Sequence, residues 1–145
     1  FYDCSLEESP FFRKNICMTT YNCLPGHNRT AALTEAAAVL AAGKLVVMPT
    51  DTVYGIACDA FNPAAVAALL AAKHRGPDMP VPVLVGSWAA AEELAGDLPE
   101  PAVALMKAYW PGGLSVVVPQ SSTVKWNLGE TSHSVMLRMP LIYYG

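Results

Sequence analysis

Apolar positions in residues 31–42 recur every three or four residues, a spacing that predicts a helix. Thr30 can cap the amino end of this helix, and Gly43 follows its last turn, where a left-handed residue is common. Residues 45–48 are instead a short, continuous apolar run ended by Pro49, a pattern typical of a strand buried on both faces. The ordered chain is therefore predicted to begin with a helix and a buried strand.

Helical and strand-like patterns continue to alternate through the rest of the chain. Asn62 and Pro63 are suited to begin a second helix, which we expect to run to about Arg75 and to end at Gly76 and Pro77. Further helices are predicted at residues 89–95 and 100–110, and further strands at residues 81–85, 114–118 and 135–138. This order predicts an α/β fold in which a twisted sheet is flanked by helices.

The composition narrows the class of protein without identifying it. The 145 residues are 53% hydrophobic and 14% charged, which fits one globular domain. The formal net charge of -3 gives no chain-wide attraction for nucleic acid, so RNA binding would need a local basic patch. The four cysteines form no CxxC pair and have no histidine at zinc-ligand spacing, so we expect free thiols in a reducing compartment, the cytoplasm. No run approaches the roughly 20 apolar residues of a membrane span.

The amino-terminal segment differs from the rest of the chain. Residues 1–17 have neither a starting methionine nor the apolar region and cleavage site of a secretory signal, and Met18 is a candidate start. We therefore expect residues 1–20 to be a poorly ordered extension and residues 21–145 to form the domain.

Polar side chains are concentrated in residues 49–55, with the sequence Pro-Thr-Asp-Thr-Val-Tyr-Gly, directly after the predicted buried strand. α/β proteins commonly bind ligands at the end of such a strand. The simpler alternative is that Thr50, Asp51 and Thr52 only bind backbone groups of a tight turn. Local chemistry leaves both interpretations open.

A second candidate is the run of Lys73, His74 and Arg75 at the end of the second predicted helix. Lysine and arginine side chains together can bind the phosphates of a nucleotide. Cations in the last turn of a helix also stabilise it through the helix dipole without any ligand. Spacing alone favours the second explanation.

Two further segments offer chemistry next to predicted strands. Residues 110–115, Trp-Pro-Gly-Gly-Leu-Ser, would let a ligand approach the glycine backbone and meet the Ser115 hydroxyl, although a plain turn with a packed tryptophan is the default. Arg138 ends the last predicted strand and could bind a carboxylate or be an ordinary surface cation. His27 and His133 have no second ligand at a diagnostic spacing, so no metal site is predicted.

Four segments, taken in order, resemble the YrdC-like threonylcarbamoyl-AMP synthases: residues 49–55, 73–75, 110–115 and 135–140. The similarity extends over about residues 31–141, and the first segment is the most specific. The resemblance implies an open, twisted, mixed α/β sheet flanked by helices, with a concave basic face.

The resemblance also implies an activity. Members of this family combine L-threonine, bicarbonate or carbon dioxide, and ATP with Mg²⁺ into threonylcarbamoyl-AMP and pyrophosphate, and downstream threonylcarbamoyl-transferase machinery then modifies adenosine in tRNA. By that similarity Thr52 and Arg138 would contact threonine. Lys73, Arg75 and Ser115 would bind ATP.

The sequence departs from the family pattern in several places. Gly113 stands where a proline is usual, and Leu84 aligns with a position that is often histidine in the family. The similarity ends after Pro140, so we expect a domain that is truncated at its C-terminus and lacks a Ser-x-Asn element.

Two other functions stay open at the level of the sequence. A non-catalytic module of the same fold that binds double-stranded RNA or tRNA would have no need of threonine. A fragment of a hydrogenase-maturation enzyme would normally adjoin zinc-finger segments, and no cysteine pairs support that reading.

Overall fold

A computed structural model of the chain describes residues 18–23 and 27–141. Within them helices and strands are mixed along the chain, and the predicted α/β class is confirmed. The helices are α1 (Arg29–Ala41), α2 (Pro63–Ala72), α3 (Trp88–Leu94) and α4 (Glu100–Tyr109); the strands are β1 (Val46–Met48), β2 (Gly55–Ala57), β3 (Val83–Leu84), β4 (Val116–Pro119) and β5 (Ser134–Arg138). The predicted extension, residues 1–20, lies mostly outside the described residues.

The strands form two sheets. β1 and β2 pair antiparallel, with Val46 opposite Ala57 and Met48 opposite Gly55, so the chain reverses in the loop between them. In the second sheet β5 lies in the centre, parallel to β3 and antiparallel to β4. This sheet is mixed, as expected, but the predicted first strand pairs outside it. β2 is not predicted from the sequence, because glycine and alanine are poor strand formers.

The core lies on one face of the three-stranded sheet. Alternate residues of its two longer strands are buried there: Val116, Val118, Val135 and Leu137. They belong to one apolar cluster with Met106 and Trp110, at the end of α4. Val47 of β1 is 60% exposed, so the prediction of a strand buried on both faces is wrong, because β1 lies in a two-stranded sheet.

The amino ends of the first two helices are each capped by an asparagine side chain. Asn28 rather than Thr30 caps α1, because its side-chain oxygen accepts from the Ala31 amide at 3.2 Å. Asn62 caps α2 as predicted, with its side chain bound to two backbone amides of the first turn. No helix in the described part of the chain is long and apolar enough to cross a bilayer.

Candidate functional site

The loop between β1 and β2 is ordered around the hydroxyl of Thr50. This hydroxyl accepts from the backbone amides of Thr52 and Val53, each at 3.3 Å, and donates to the Val53 carbonyl at 2.6 Å. Thr50 is therefore a turn-stabilising residue, as the simpler interpretation of residues 49–55 holds. The side chains of Asp51 and Thr52 also bind groups outside this loop.

Asp51 and Thr52 both bind Arg138, at the end of β5. The guanidinium pairs with one carboxylate oxygen of Asp51 through Nη2, and Nη1 and Nη2 each donate to the Thr52 hydroxyl at 3.1 Å. The second carboxylate oxygen accepts from the Leu141 amide at 3.1 Å. The side chains of Arg138 and Asp51 are only 15% and 9% exposed, so Arg138 is not a freely solvated surface cation.

The glycine turn of residues 110–115 closes the same site from another side. Arg138 Nε donates to the Gly112 carbonyl at 3.1 Å, and the Gly112 amide donates to the Met139 carbonyl at 2.8 Å. A Cβ at position 112 would lie 2.7 Å from the Tyr109 carbonyl oxygen, so this close approach requires glycine. We call the group of residues that meet here the Arg138 junction: Asp51, Thr52, Gly112, Arg138 and Leu141.

The sheet register brings two more positions beside Arg138. Leu84 of β3 is its parallel partner. Val116 of β4 pairs with Leu137, so Ser115 lies next to Arg138 at the end of the antiparallel pair. Leu84 is 40% exposed, and Ser115 is exposed as well. A ligand at this edge of the sheet would meet an apolar side chain on one side of the junction and a hydroxyl on the other.

The run from Lys73 to Arg75 follows α2 instead of forming its last turn. α2 ends at Ala72, so the prediction that it extends to about Arg75 is wrong. The His74 backbone is left-handed, with φ 52°, and the amides of His74 and Arg75 donate back to carbonyls in the last turn of α2. This is the Schellman motif with histidine where glycine is usual, and Gly76 stands too late to be the capping residue.

Lys73 and Arg75 differ from Arg138 in the contacts of their side chains. Neither side chain forms an ion pair or a hydrogen bond with any residue in 18–23 or 27–141. Lys73 is close enough to Cys58, just after β2, to influence it: burial and then Asp59 raise the pKa of the Cys58 thiol, and Lys73 partly offsets them. Arg75 lines an open groove of about 330 Å³ beside α2. The described contacts do not join these two cations to the Arg138 junction.

The contribution of Asp51 is not predicted from the sequence. Asp51 stands between two threonines in a turn, where a carboxylate usually binds local backbone amides. Its partner is 87 positions away, and no local sequence feature of either segment indicates that the two residues pair. The only usable signal is that an acidic and a basic residue each stand at the end of a predicted strand.

Together these features define a mixed α/β protein with a polar site centred on an arginine at the carboxyl end of the central strand of its three-stranded sheet. Residues 38–142 match the Sua5/YciO/YrdC family, described as telomere recombination. The chain therefore belongs to the Sua5/YciO/YrdC family. The resemblance inferred from residues 49–55 and the three later segments is confirmed.

Relatives share much of this sequence. A Mycobacterium tuberculosis protein, provisionally named a threonylcarbamoyl-AMP synthase, is 53% identical over 122 residues, which are 84% of this chain and 56% of that protein. The threonylcarbamoyl-AMP synthase of Pyrococcus abyssi is 39% identical over 105 residues, 72% of this chain and 31% of that protein. The solved structure of P. abyssi Sua5 complexed with L-threonine matches with a TM-score of 0.70 at 38% identity, over 74% of this chain and 32% of that one. The chain thus spans about half the length of its Mycobacterium relative and about a third of the P. abyssi protein.

Proposed function

We propose that this chain is the catalytic domain of a threonylcarbamoyl-AMP synthase, which forms threonylcarbamoyl-AMP and pyrophosphate from L-threonine, bicarbonate and ATP. The Arg138 junction carries the proposal, because it joins the polar loop after β1, the glycine turn and the end of β5 in one hydrogen-bonded site. Relatives of this name that are 53% and 39% identical to the chain support it.

Thr52 and Arg138 are the proposed contacts for L-threonine. Thr52 is exposed, yet its hydroxyl is held by Arg138 and so is presented to a ligand in a fixed position. The complex of P. abyssi Sua5 with L-threonine supports the same ligand for this chain. Arg138 acts mainly through Thr52, since most of its hydrogen-bond donors are already bound within the chain.

Lys73, Arg75 and Ser115 are the proposed contacts for ATP. Unpaired lysine and arginine side chains favour phosphate oxygens, and an exposed serine hydroxyl can accept from or donate to the nucleotide. Among residues 18–23 and 27–141, no three acidic, histidine or cysteine side chains cluster as metal ligands. Mg²⁺ therefore enters the proposal only as the ion that accompanies the ATP phosphates, and no step is assigned to it.

The proposed reaction needs positioning and charge stabilisation more than a covalent nucleophile. Bicarbonate is in equilibrium with carbon dioxide and water. The neutral threonine amine adds to carbon dioxide and releases one proton to solvent, which gives a carbamate. A carbamate oxygen then attacks the α-phosphorus of ATP, and pyrophosphate leaves. Lys73 and Arg75 would stabilise the negative charge on the phosphoryl oxygens.

The proposed product is a mixed anhydride, which must be passed to an acceptor before water destroys it. We propose a cytoplasmic reaction in which downstream threonylcarbamoyl-transferase machinery receives the group for adenosine in tRNA. With a net charge of -3 on the chain, any direct tRNA contact would be confined to a local patch.

Pyrophosphate release is the direct test. The assay is run on this chain and on a fusion in which the M. tuberculosis relative supplies the sequence after the matched part, because the chain covers 56% of that protein. Release that requires L-threonine, bicarbonate and ATP together supports the proposal. A well-folded fusion that releases no pyrophosphate overturns it, and salt-sensitive RNA binding by that fusion would point to the RNA-binding alternative.

Lys73→Gln and Arg75→Gln test the nucleotide contacts in the same assay. Each variant is expected to lower kcat/KM for ATP roughly tenfold, through loss of a charged hydrogen bond, and to leave the thermal unfolding midpoint unchanged. Glu92→Gln, an exposed position on α3, is the matched control. Unchanged ATP use with a lower midpoint would show that the cations serve only the helix end.

A further inference from the structure

The hydroxyl groups of Thr50 and Thr52 lie 3.2 Å apart, a distance at which either could donate to the other. Their remaining contacts decide the direction. Thr50 has one hydroxyl proton, and the Val53 carbonyl receives it at 2.6 Å. Within this pair Thr50 is therefore not the donor.

The acceptor side of Thr52 is already occupied. A hydroxyl oxygen has two lone pairs, and Nη1 and Nη2 of Arg138 each donate to it at 3.1 Å. Thr52 can thus offer a ligand only its proton. The neighbouring Thr50 oxygen already accepts from two backbone amides at 3.3 Å each, so it has no lone pair left to hold this proton firmly, and the proton is available to a ligand.

Asp51 determines which way the guanidinium of Arg138 faces. One carboxylate oxygen binds Nη2, and the other is tied to the Leu141 amide at 3.1 Å. On the opposite side Nε is tied to the Gly112 carbonyl at 3.1 Å. With Asp51 only 9% exposed, water competes little for these bonds, and the guanidinium plane stays directed at Thr52.

We propose that Asp51 and Arg138 are positioning residues that make Thr52 a donor-only group. Thr52 then recognises a hydrogen-bond acceptor that carries no proton, and in the amino-acid substrate this acceptor is the carboxylate. This inference rests on the proposed function and adds the polarity of one contact to it. The Asp51–Arg138 pair has no net charge, so the contact is directional and depends little on salt, unlike phosphate binding by exposed cations.

The arrangement around Arg138 is tested first without ligand, by nitrogen-15 NMR of its side chain. In the parent chain the Nε and Nη protons are expected to exchange slowly and to give separate signals, because Asp51, Thr52 and Gly112 hold them. Asp51→Asn should broaden the Nη signals, and Asp97→Asn, an exposed carboxylate, should leave them unchanged. A guanidinium that rotates freely in the parent chain overturns the inference.

The polarity of Thr52 is tested by NMR titration with two ligands, L-threonine and (R)-1-aminopropan-2-ol, which lacks only the carboxylate. Thr52→Val keeps the shape of the side chain and should weaken L-threonine binding roughly tenfold, with no change for the amino alcohol. Thr52→Ser restores the hydroxyl and should restore L-threonine binding. Equal weakening of both ligands by Thr52→Val, or no weakening of either, overturns the inference.

The positioning role of Asp51 appears as selectivity, which a merely structural residue would not alter. Asp51→Asn and Arg138→Lys should each reduce the preference for L-threonine over the amino alcohol towards that of Thr52→Val. Pyrophosphate release with a preference independent of Thr52 would leave the proposed function standing and reject this inference. A Thr52-dependent preference without pyrophosphate release from the fusion would do the reverse.

Discussion

The Arg138 junction and the end of α2 both carry cations that were predicted to bind substrate, and they are built in opposite ways. Arg138 is 15% exposed and is bound through Nε, Nη1 and Nη2 by residues of the chain itself. Lys73 and Arg75 follow a helix end and have no ion pair within the described residues. The first region is assembled before any ligand arrives, whereas the second keeps its charge available.

This difference separates two kinds of binding. A preassembled site loses little conformational freedom when the ligand binds, so it suits a small substrate that must be held in one orientation. Cations that form no ion pair within the protein give less geometric control, but they attract a polyanion over several ångströms. The contrast fits an amino acid at the junction and a nucleoside triphosphate near the end of α2.

The largest expected effect is on stability at the junction. Asp51→Ala leaves the largely buried Arg138 guanidinium without its counter-charge and leaves the Leu141 amide unbound, so the free energy of unfolding should fall by about 3 kcal/mol. Urea unfolding followed by circular dichroism measures it. Glu92→Ala on α3 is the exposed control and should change stability by less than about 0.5 kcal/mol. If Asp51→Ala costs no more than this control, the junction is not preassembled in solution.

Local signals predicted the elements better than the connections between them. The cap at Asn62 follows from side-chain chemistry within one turn, which the sequence displays directly. The short strand β2 does not, because its pairing with β1 and not its own residues makes it a strand. The same limit applies to the site: Thr52 and Arg138 could be named from the family resemblance, but the carboxylate that joins them could not.

A smaller effect is expected at the end of α2, where the left-handed position is occupied by histidine. α1 ends in the same motif with Gly43 at φ 71°, which has no Cβ to oppose this backbone conformation. His74→Gly should therefore raise the free energy of unfolding by about 1 kcal/mol, measured by urea unfolding. His74→Ala removes the imidazole but keeps the Cβ, so it should give no such gain. A gain from alanine as large as that from glycine would show that the imidazole, not the backbone, is unfavourable.

The smallest effect tests where the ammonium group of Lys73 lies. Burial and Asp59 raise the pKa of the Cys58 thiol and Lys73 lowers it, so Lys73→Gln should move the pH midpoint of Cys58 alkylation by iodoacetamide upward, and Asp59→Asn should move it downward. The measurement uses a background in which Cys4, Cys17 and Cys23 are replaced by serine.

Arg75→Gln is the matched control for this shift, since that neighbouring cation is not among the causes of the Cys58 pKa. If the pH midpoint of Cys58 alkylation in Lys73→Gln equals that of the parent chain, the lysine does not lie near the carboxyl end of β2. ATP should also raise the midpoint in the parent chain, because phosphates bound at Lys73 cancel its charge and add negative charge near the thiol. The same addition should have a much smaller effect in Lys73→Gln. This result would show that the Cys58 thiol lies near the proposed nucleotide site and not near the junction.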